Sequence, residues 1–321
     1  MQLIDRKLPS LGRAQNDEEM RLLLAPLFPG WFDGNGQVLL GVRHQLLKHT
    51  PGKRCVIQYQ LETSGQATPQ QLIGKIYRKD RGRRIFENVH HLWQAADQGA
   101  RFNMAEPLAY LPELGMILLS AVPGRQLSSF AMDDDLPEAL RRVAANLAAL
   151  HGLEVSAVPE RTLEDHLRKF CHPGVELLIA AYPEFRPLVE DLLAGLANDE
   201  ALREAPLCPV HGDLNLAQIF IAQGHAWFID FDGFCVSHPA LDLGNFGVSL
   251  QVHYPARYEA LQTMFLEHYL TNLPTRMLTG LRVYQALAYL RRAVIAARTP
   301  SVPNWREQVR QLLEAGNTVL A

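Results

Sequence analysis

The apolar pattern changes period about a third of the way along the chain, and that change restricts the fold more than any other feature. Before it lie "VLLGVRHQLLKH", "RCVIQYQLE" and "QLIGKIYR", which are short, alternating or β-branched and divided by "TPGK" and "TSGQATPQ". Period-two segments of this kind predict three antiparallel strands. "EPLAYL" and "GMILLS" flank the turn "PELG" and predict a second hairpin. A helix is expected from Asn16, with Glu19 completing a capping box, through "MRLLLAPLF". "DGNG" at 33–36 reads as a turn. "RIFENVHHLWQAADQG" has helical spacing, with Ile85, Val89, Leu92 and Trp93 on one face and Gly99 just past its end. After "AVPGRQL" the period becomes helical. "LPEALRRVAANLAALHGL" is a long amphipathic helix, residues 161–204 follow in kind, "AWFIDFD" interrupts as a strand, and the rest is mostly helical to Ala321. Strands followed by helices predict an α+β chain with two segregated parts. The expected division is a sheet-rich lobe at 1–119, a connection at 120–124 and a helical lobe at 125–321.

Composition narrows the functional classes. Hydrophobic residues make up 48% and charged residues 20% of the 321, enough for a sizeable core. The formal net charge of -3 argues against nucleic acid as a partner, because a broad phosphate footprint needs a basic surplus. Cys55, Cys171, Cys208 and Cys235 form no CxxC pair, so neither a zinc site nor a disulfide framework is expected. "MQLIDRKLPSLGRAQNDEEM" contains no apolar signal region and no run reaches the length of a membrane span. A soluble cytoplasmic protein with no membrane partner is the expectation. Nothing in the sequence addresses oligomeric state.

The chemistry concentrates in "VHGDLNLAQIF" at 210–220. His211, Gly212, Asp213, four residues and then Gln218 resemble the spacing of the kinase catalytic loop, H-R-D-x-x-x-x-N. One carboxylate must accept or orient the proton of an attacking hydroxyl, and an oxygen ligand a few residues on must help hold Mg²⁺, a hard cation. Asp230 follows the apolar strand of "WFIDFDGF", 17 positions after Asp213. A carboxylate at the end of a buried strand is costly unless coordinated or hydrogen-bonded. It suits a second metal ligand, although Asp232 stands where kinases have the Gly of Asp-Phe-Gly. Lys75 lies within the apolar strand "LIGKIYR". A lysine snorkelling from an exposed face is the ordinary explanation. The functional one is contact with nucleotide phosphates, with Glu87, the single acid between Arg81 and Trp93, as partner.

Together these elements resemble the aminoglycoside phosphotransferase and choline-kinase-like family, small-molecule relatives of the protein kinases, over nearly the whole chain. The resemblance implies a bilobal protein-kinase-like fold, with an antiparallel N-lobe and a mainly helical C-lobe. It implies ATP and Mg²⁺ as cofactors and a small-molecule hydroxyl as acceptor. Asp213 would orient or deprotonate that hydroxyl, Gln218 and Asp230 would hold Mg²⁺, and Lys75, positioned by Glu87, would bind the phosphates. "SAVPGRQL" resembles the hinge whose backbone meets adenine, which implicates Ser120 and Val122. "HTPGKRCVIQY" stands where the family's phosphate-covering loop lies. "LAALHGL" resembles the helix ahead of the catalytic loop, and "HPALDLGNF" the segment in which Asp242 would brace that loop. His211 has a structural place in this scheme rather than a proton role. Asn215 and Gln218 replace the family's commoner His and Asn. The acceptor pocket is expected from the helices at 161–204 and the C-terminal helices, where Asp165 and Glu176 would suit a cationic amine, with sugars, amino alcohols and antibiotics also open.

Two competitors accompany this reading. A nucleotide-binding pseudokinase or scaffold without turnover is favoured by Gln218 at the metal position and opposed by Lys75, Asp213 and Asp230. A protein kinase is disfavoured because no glycine-rich loop and no Ala-Pro-Glu segment are present. Other features have plain explanations. "DDD" at 133–135 suits a helix N-terminus, and "RKDRGRR" at 78–84 the loop entering a helix. Adjacent His90 and His91 point apart on a helix, and "LRRAVIAAR" at 290–298 is a helix with a basic face.

Overall fold

The computed structural model describes residues 3–27, 38–64, 70–97, 102–131, 135–197, 200–298, 300 and 303–321. The chain forms two compact units, Met1–Asp97 with Met104–Pro123, and Gln98–Asn103 with Gly124–Ala321.

The first unit begins with α1 (Leu11–Ala14) and α2 (Asp17–Leu24). Asn16 caps α2 by accepting from the Glu19 N–H, and the helix stops at Leu24, short of the predicted end. The expected turn at 33–36 lies outside the described residues. Then come β1 (Leu39–Thr50), β2 (Arg54–Thr63), β3 (Gln70–Tyr77), α3 (Arg81–Asp97), β4 (Pro107–Leu111) and β5 (Met116–Ser120). The strands pair antiparallel in the order β1-β2-β3-β5-β4. Burial alternates along β2 without a break, as the sequence pattern requires of a strand with one face on a core. That face carries Cys55, Ile57, Tyr59 and Leu61, which pack with Leu72 and Ile76 of β3 and with Leu11, Met20 and Leu24 of the first two helices. Gly74 lies on the same face, where a Cβ would come 2.7 Å from the Tyr59 ring, so only glycine leaves room for it. The expected helix at 84–99 is α3, which starts earlier, at Arg81, and lies against β3, β4 and β5.

The second unit opens with β6 (Arg125–Gln126) and α4 (Asp135–His151). Asp133 and Asp134 lie outside the described residues, and Asp135 starts α4. Helices α5 (Leu163–Cys171), α6 (Gly174–Ala181) and α7 (Arg186–Ala197) follow. Next are β7 (Cys208–Val210), β8 (Ile219–Ala222), β9 (His225–Phe228) and β10 (Cys235–Ser237). The chain ends in α8 (Ala240–His253), α9 (Tyr258–Tyr269), α10 (Leu281–Ala297) and α11 (Trp305–Leu320). Where one strand was expected at "AWFIDFD", β9 covers only Ala226 to Phe228 of it and pairs back onto β8 in a hairpin. β7 and β10 form a separate antiparallel pair, Cys235 opposite Val210. Helix α8 is buried along nearly its whole length, so its weak amphipathic pattern is that of a central helix. All four cysteines are free and buried, and burial pushes their thiols up, that of Cys55 to about 11 and that of Cys171 to about 12. Among the described residues no helix is long and apolar enough to cross a membrane.

Candidate active site

The two short sheets of the second unit, β10-β7 and β6-β8-β9, aim two loops from neighbouring positions. The loop 211–218 leaves β7, and the loop 229–234 joins β9 to β10. Two hydrogen bonds tie them. The Ile229 N–H donates to the Gln218 carbonyl at 3.0 Å, and the His211 Nε2–H donates to the Ile229 carbonyl at 2.8 Å. The Gln218 backbone is thereby paired with Ile229, the residue before Asp230. His211 is fully buried, with its ring 4.5 Å from that of Phe231. Gly212 sits at φ +78°, and a Cβ there would lie 2.4 Å from the Gly233 carbonyl oxygen. This close passage explains both glycines. The signal for Gly233 was present in "DFDG", one position later than the kinase pattern places it.

Asp242, near the start of α8, fastens the loop 211–218 from below. It is fully buried. Its Oδ2 accepts from the His211 N–H at 2.6 Å and its Oδ1 from the Gly212 N–H at 2.8 Å. His151, at the end of α4, donates from Nε2 to Oδ2 at 3.2 Å and accepts at Nδ1 from the Tyr269 hydroxyl at 2.7 Å. Burial alone would raise the Asp242 pKa; His151, His211 and the Gly212 N–H outweigh it and hold the carboxyl below its ordinary value. The role of His151 was not read from the sequence, although its histidine stands within "LAALHGL".

Asp213 is partly exposed on the same loop and forms an ion pair with Arg291 of α10. The Arg291 guanidinium also lies 4.2 Å from the Phe170 ring centroid. Asn215 orders the loop beyond Asp213. Its side chain donates to the Asp213 carbonyl and accepts from the Ala217 N–H. Gln218 completes a capping box, with its Oε1 accepting from the Asn215 N–H at 3.1 Å. That oxygen has a second lone pair. Asp230 is half-buried in the left-handed region, φ +68°, a conformation that L residues adopt at a cost and that recurs at functional positions. Among the described residues no group of three or more His, Cys, Asp and Glu side chains could hold a metal ion. Gln218 and Asp230 each carry a hard oxygen donor, the type Mg²⁺ prefers.

In the first unit, Lys75 is 7% exposed on the central strand β3, between Val56 of β2 and Ile117 of β5. By alternation it points with Ile73 and Tyr77 to the face opposite the α1–α2 core, and Tyr77 meets Gly82 of α3 there. Glu87 is exposed on α3. Ser120 exchanges two bonds with Glu106, donating from N at 2.9 Å and accepting at Oγ at 2.8 Å. Val122 is half-buried, and among the described residues no backbone hydrogen bond engages it. The turn at Gly52, in the segment compared with the phosphate-covering loop, is held by Asp5. That carboxyl accepts from the Gly52 N–H at 2.6 Å and stands 2.9 Å from His49. The Gly52 and Lys7 N–H groups and then His49 hold it down to about 2.

A cavity of about 530 Å³ adjoins Asp213 within the second unit, walled mainly by α8, α10 and the start of α11. The expected acids are not there. Asp165 completes a capping box with the N-cap Thr162 at the start of α5, and Glu176 pairs with His172. The basic face of "LRRAVIAAR" lines the cavity instead, through Arg291 and Arg292. Sequence spacing showed a basic helix face; only packing shows what that face looks onto.

The family model described as the phosphotransferase enzyme family matches residues 58–287. The fold is similar to that of a choline kinase from Cryptosporidium parvum Iowa II, at 13% identity and a TM-score of 0.65 over 94% of either chain. It is also similar to a choline/ethanolamine kinase family protein from Mesorhizobium loti, at 16% identity and a TM-score of 0.58 over 94% of either chain. A third neighbour is the GDP complex of wild-type aminoglycoside 2'-phosphotransferase-IIIa, at 14% identity and a TM-score of 0.63 over 95% of this chain and 99% of that one. At these identities the likeness establishes the kinase-like fold. Among curated proteins none matches the sequence.

Proposed function

Because the chain belongs to the phosphotransferase enzyme family, matching its model over residues 58–287, we propose that it transfers the γ-phosphoryl group of ATP, with Mg²⁺, to a hydroxyl of a small molecule. The observation that carries this reading is the Asp242-fastened loop, which presents Asp213 and whose Gln218 carbonyl accepts from Ile229, the residue before Asp230. The acceptor oxygen forms the new P–O bond, the bond from the γ-phosphorus to the bridging oxygen breaks, and ADP leaves. Asp213 orients the hydroxyl and takes its proton. Gln218 and Asp230 would hold Mg²⁺, which neutralises charge on the phosphates. Lys75 supplies an ammonium for those phosphates, and the Val122 backbone a contact for the base. Such catalysis is mostly positioning and charge stabilisation.

A screen of hydroxyl compounds for stimulated ATP consumption tests it, with GTP run beside ATP because one neighbour of this fold is a GDP complex. Asp213→Asn should lower turnover by about 10²- to 10⁴-fold, the usual worth of a positioned base, and leave nucleotide binding near wild type. The specific observations behind a nucleotide-binding protein without turnover are the Arg291 ion pair on Asp213 and the Asn215 N–H on Gln218. Nucleotide binding with no consumption across the screen would select that alternative.

A further inference from the structure

The cavity beside Asp213 has a charge that Asp213 does not cancel. Among the described residues that line it, Asp213 is the sole carboxylate, and Arg291 and Arg292 bring two guanidiniums. Arg291 is already committed to Asp213 and to the Phe170 ring. Arg292 is half-buried, and among the described residues it makes no hydrogen bond or ion pair. Desolvation, then the neighbouring Arg291, pulls its guanidinium below the ordinary arginine range, with Asp213 and then Tyr289 opposing. A desolvated cation with no hydrogen-bonded partner is costly, and a bound anion lowers that cost.

A second group in the same wall lacks a partner. Asn245 of α8 is 7% exposed, lines the cavity, and its Nδ2 is buried with no hydrogen-bond partner. It is a donor, as Arg292 is. More positive charge stands behind Asp213. Lys169 lies within electrostatic reach of Asp213, and its ammonium is pulled below the ordinary lysine range by desolvation first and then by Arg161, with Asp213 opposing. Cations therefore predominate around the single carboxylate.

We infer that the cavity takes an acceptor whose hydroxyl is carried on an anionic molecule, a carboxylate or a phosphate monoester, with Arg292 and the Asn245 amide donating to the anion. The word acceptor rests on the phosphotransferase reading above; the anion site itself does not. A guanidinium matches the planar, two-oxygen face of either anion. A cationic amine brought to this cavity would meet Arg292 instead of an acid.

The test is direct binding followed by turnover, on the full chain. Calorimetric titrations would use glycerate, glycerol 3-phosphate, glycerol and choline, with and without Mg·ATP. Glycerate or glycerol 3-phosphate should bind, while glycerol and choline bind at least tenfold more weakly. Whichever of the two anions binds more tightly identifies the anion as carboxylate or phosphate. Arg292→Gln should weaken the anion about tenfold to a hundredfold, the worth of a charged hydrogen bond, and leave nucleotide affinity unchanged. Asn245→Leu offers a second, independently folded variant with the same expected direction, and melting curves confirm that both variants fold. Preference for choline or glycerol, failure of both anions to bind, or anion affinity unmoved in Arg292→Gln would overturn the inference. Transfer to a neutral or cationic alcohol would then leave the phosphotransferase reading standing. Anion binding without transfer to any acceptor would leave the anion site standing and remove that reading.

Discussion

Asp242 offers the sharpest perturbation. Its two carboxylate oxygens accept the His211 and Gly212 N–H groups at 2.6 and 2.8 Å, and His151 donates to it at 3.2 Å. Asp242→Asn keeps the shape but turns one acceptor into a donor. One loop N–H, buried and facing that donor, loses its partner at about 1–3 kcal/mol, and the remaining bonds lose their charge assistance. The sum is about 3–4 kcal/mol. Asp242→Ala strips both N–H groups and should cost about 4–6 kcal/mol, a large share of an ordinary domain's total stability. Urea unfolding at pH 7 measures both, and turnover measures the loop, which should lose its grip on Asp213 even in the Asn variant. The sign with pH follows from the depressed carboxyl. Its contribution is present above its unfolded pKa and is lost as pH falls through the lower folded value, so the gap between wild type and Asp242→Asn should narrow on acidification. A loss below about 1 kcal/mol in Asp242→Ala would show that the loop finds other partners and that the fastening described here is not what holds it.

Three further outcomes are expected. Gly212→Ala should lose at least about 2 kcal/mol and most turnover, because the left-handed φ of +78° and a Cβ 2.4 Å from the Gly233 oxygen both oppose it; thermal melting and a turnover assay report the two. Burial, then Lys169 and Arg161, pulls the His166 imidazole down from 6.5 to about 4, so the unfolded chain takes up the proton first on acidification. Stability should fall by on the order of 3 kcal/mol between those two values, and His166→Gln should flatten that part of the curve in urea titrations at stepped pH. Gln218→Ala should raise the magnesium concentration needed for half-maximal turnover while Gln218→Asn keeps substantial activity. An unchanged magnesium requirement in Gln218→Ala would restrict the residue to its observed bond with the Asn215 N–H.

The sequence by itself determined the division of labour along the chain. Alternation in "RCVIQYQLE" and helical spacing in "LPEALRRVAANLAALHGL" are local consequences of which face must be apolar, so strand and helix were legible without neighbours. The spacing of His211, Asp213 and Gln218 was legible for the same reason, since one short loop can aim all three. Strand boundaries were less so. The β8–β9 hairpin hides in "IFIAQGHAWF", where apolar residues on both sides of the turn blur the period. Tertiary structure decided what meets across long separations. Arg291 reaches Asp213 over 78 residues, and His151 reaches Asp242 over 91. No local period encodes such meetings, because they depend on how whole helices pack. Packing likewise placed Glu87 on an exposed face of α3 and sent Asp165 and Glu176 to cap and pair beside their own helices. It turned the basic face of α10, unremarkable as a sequence, into the charged wall of the cavity beside Asp213.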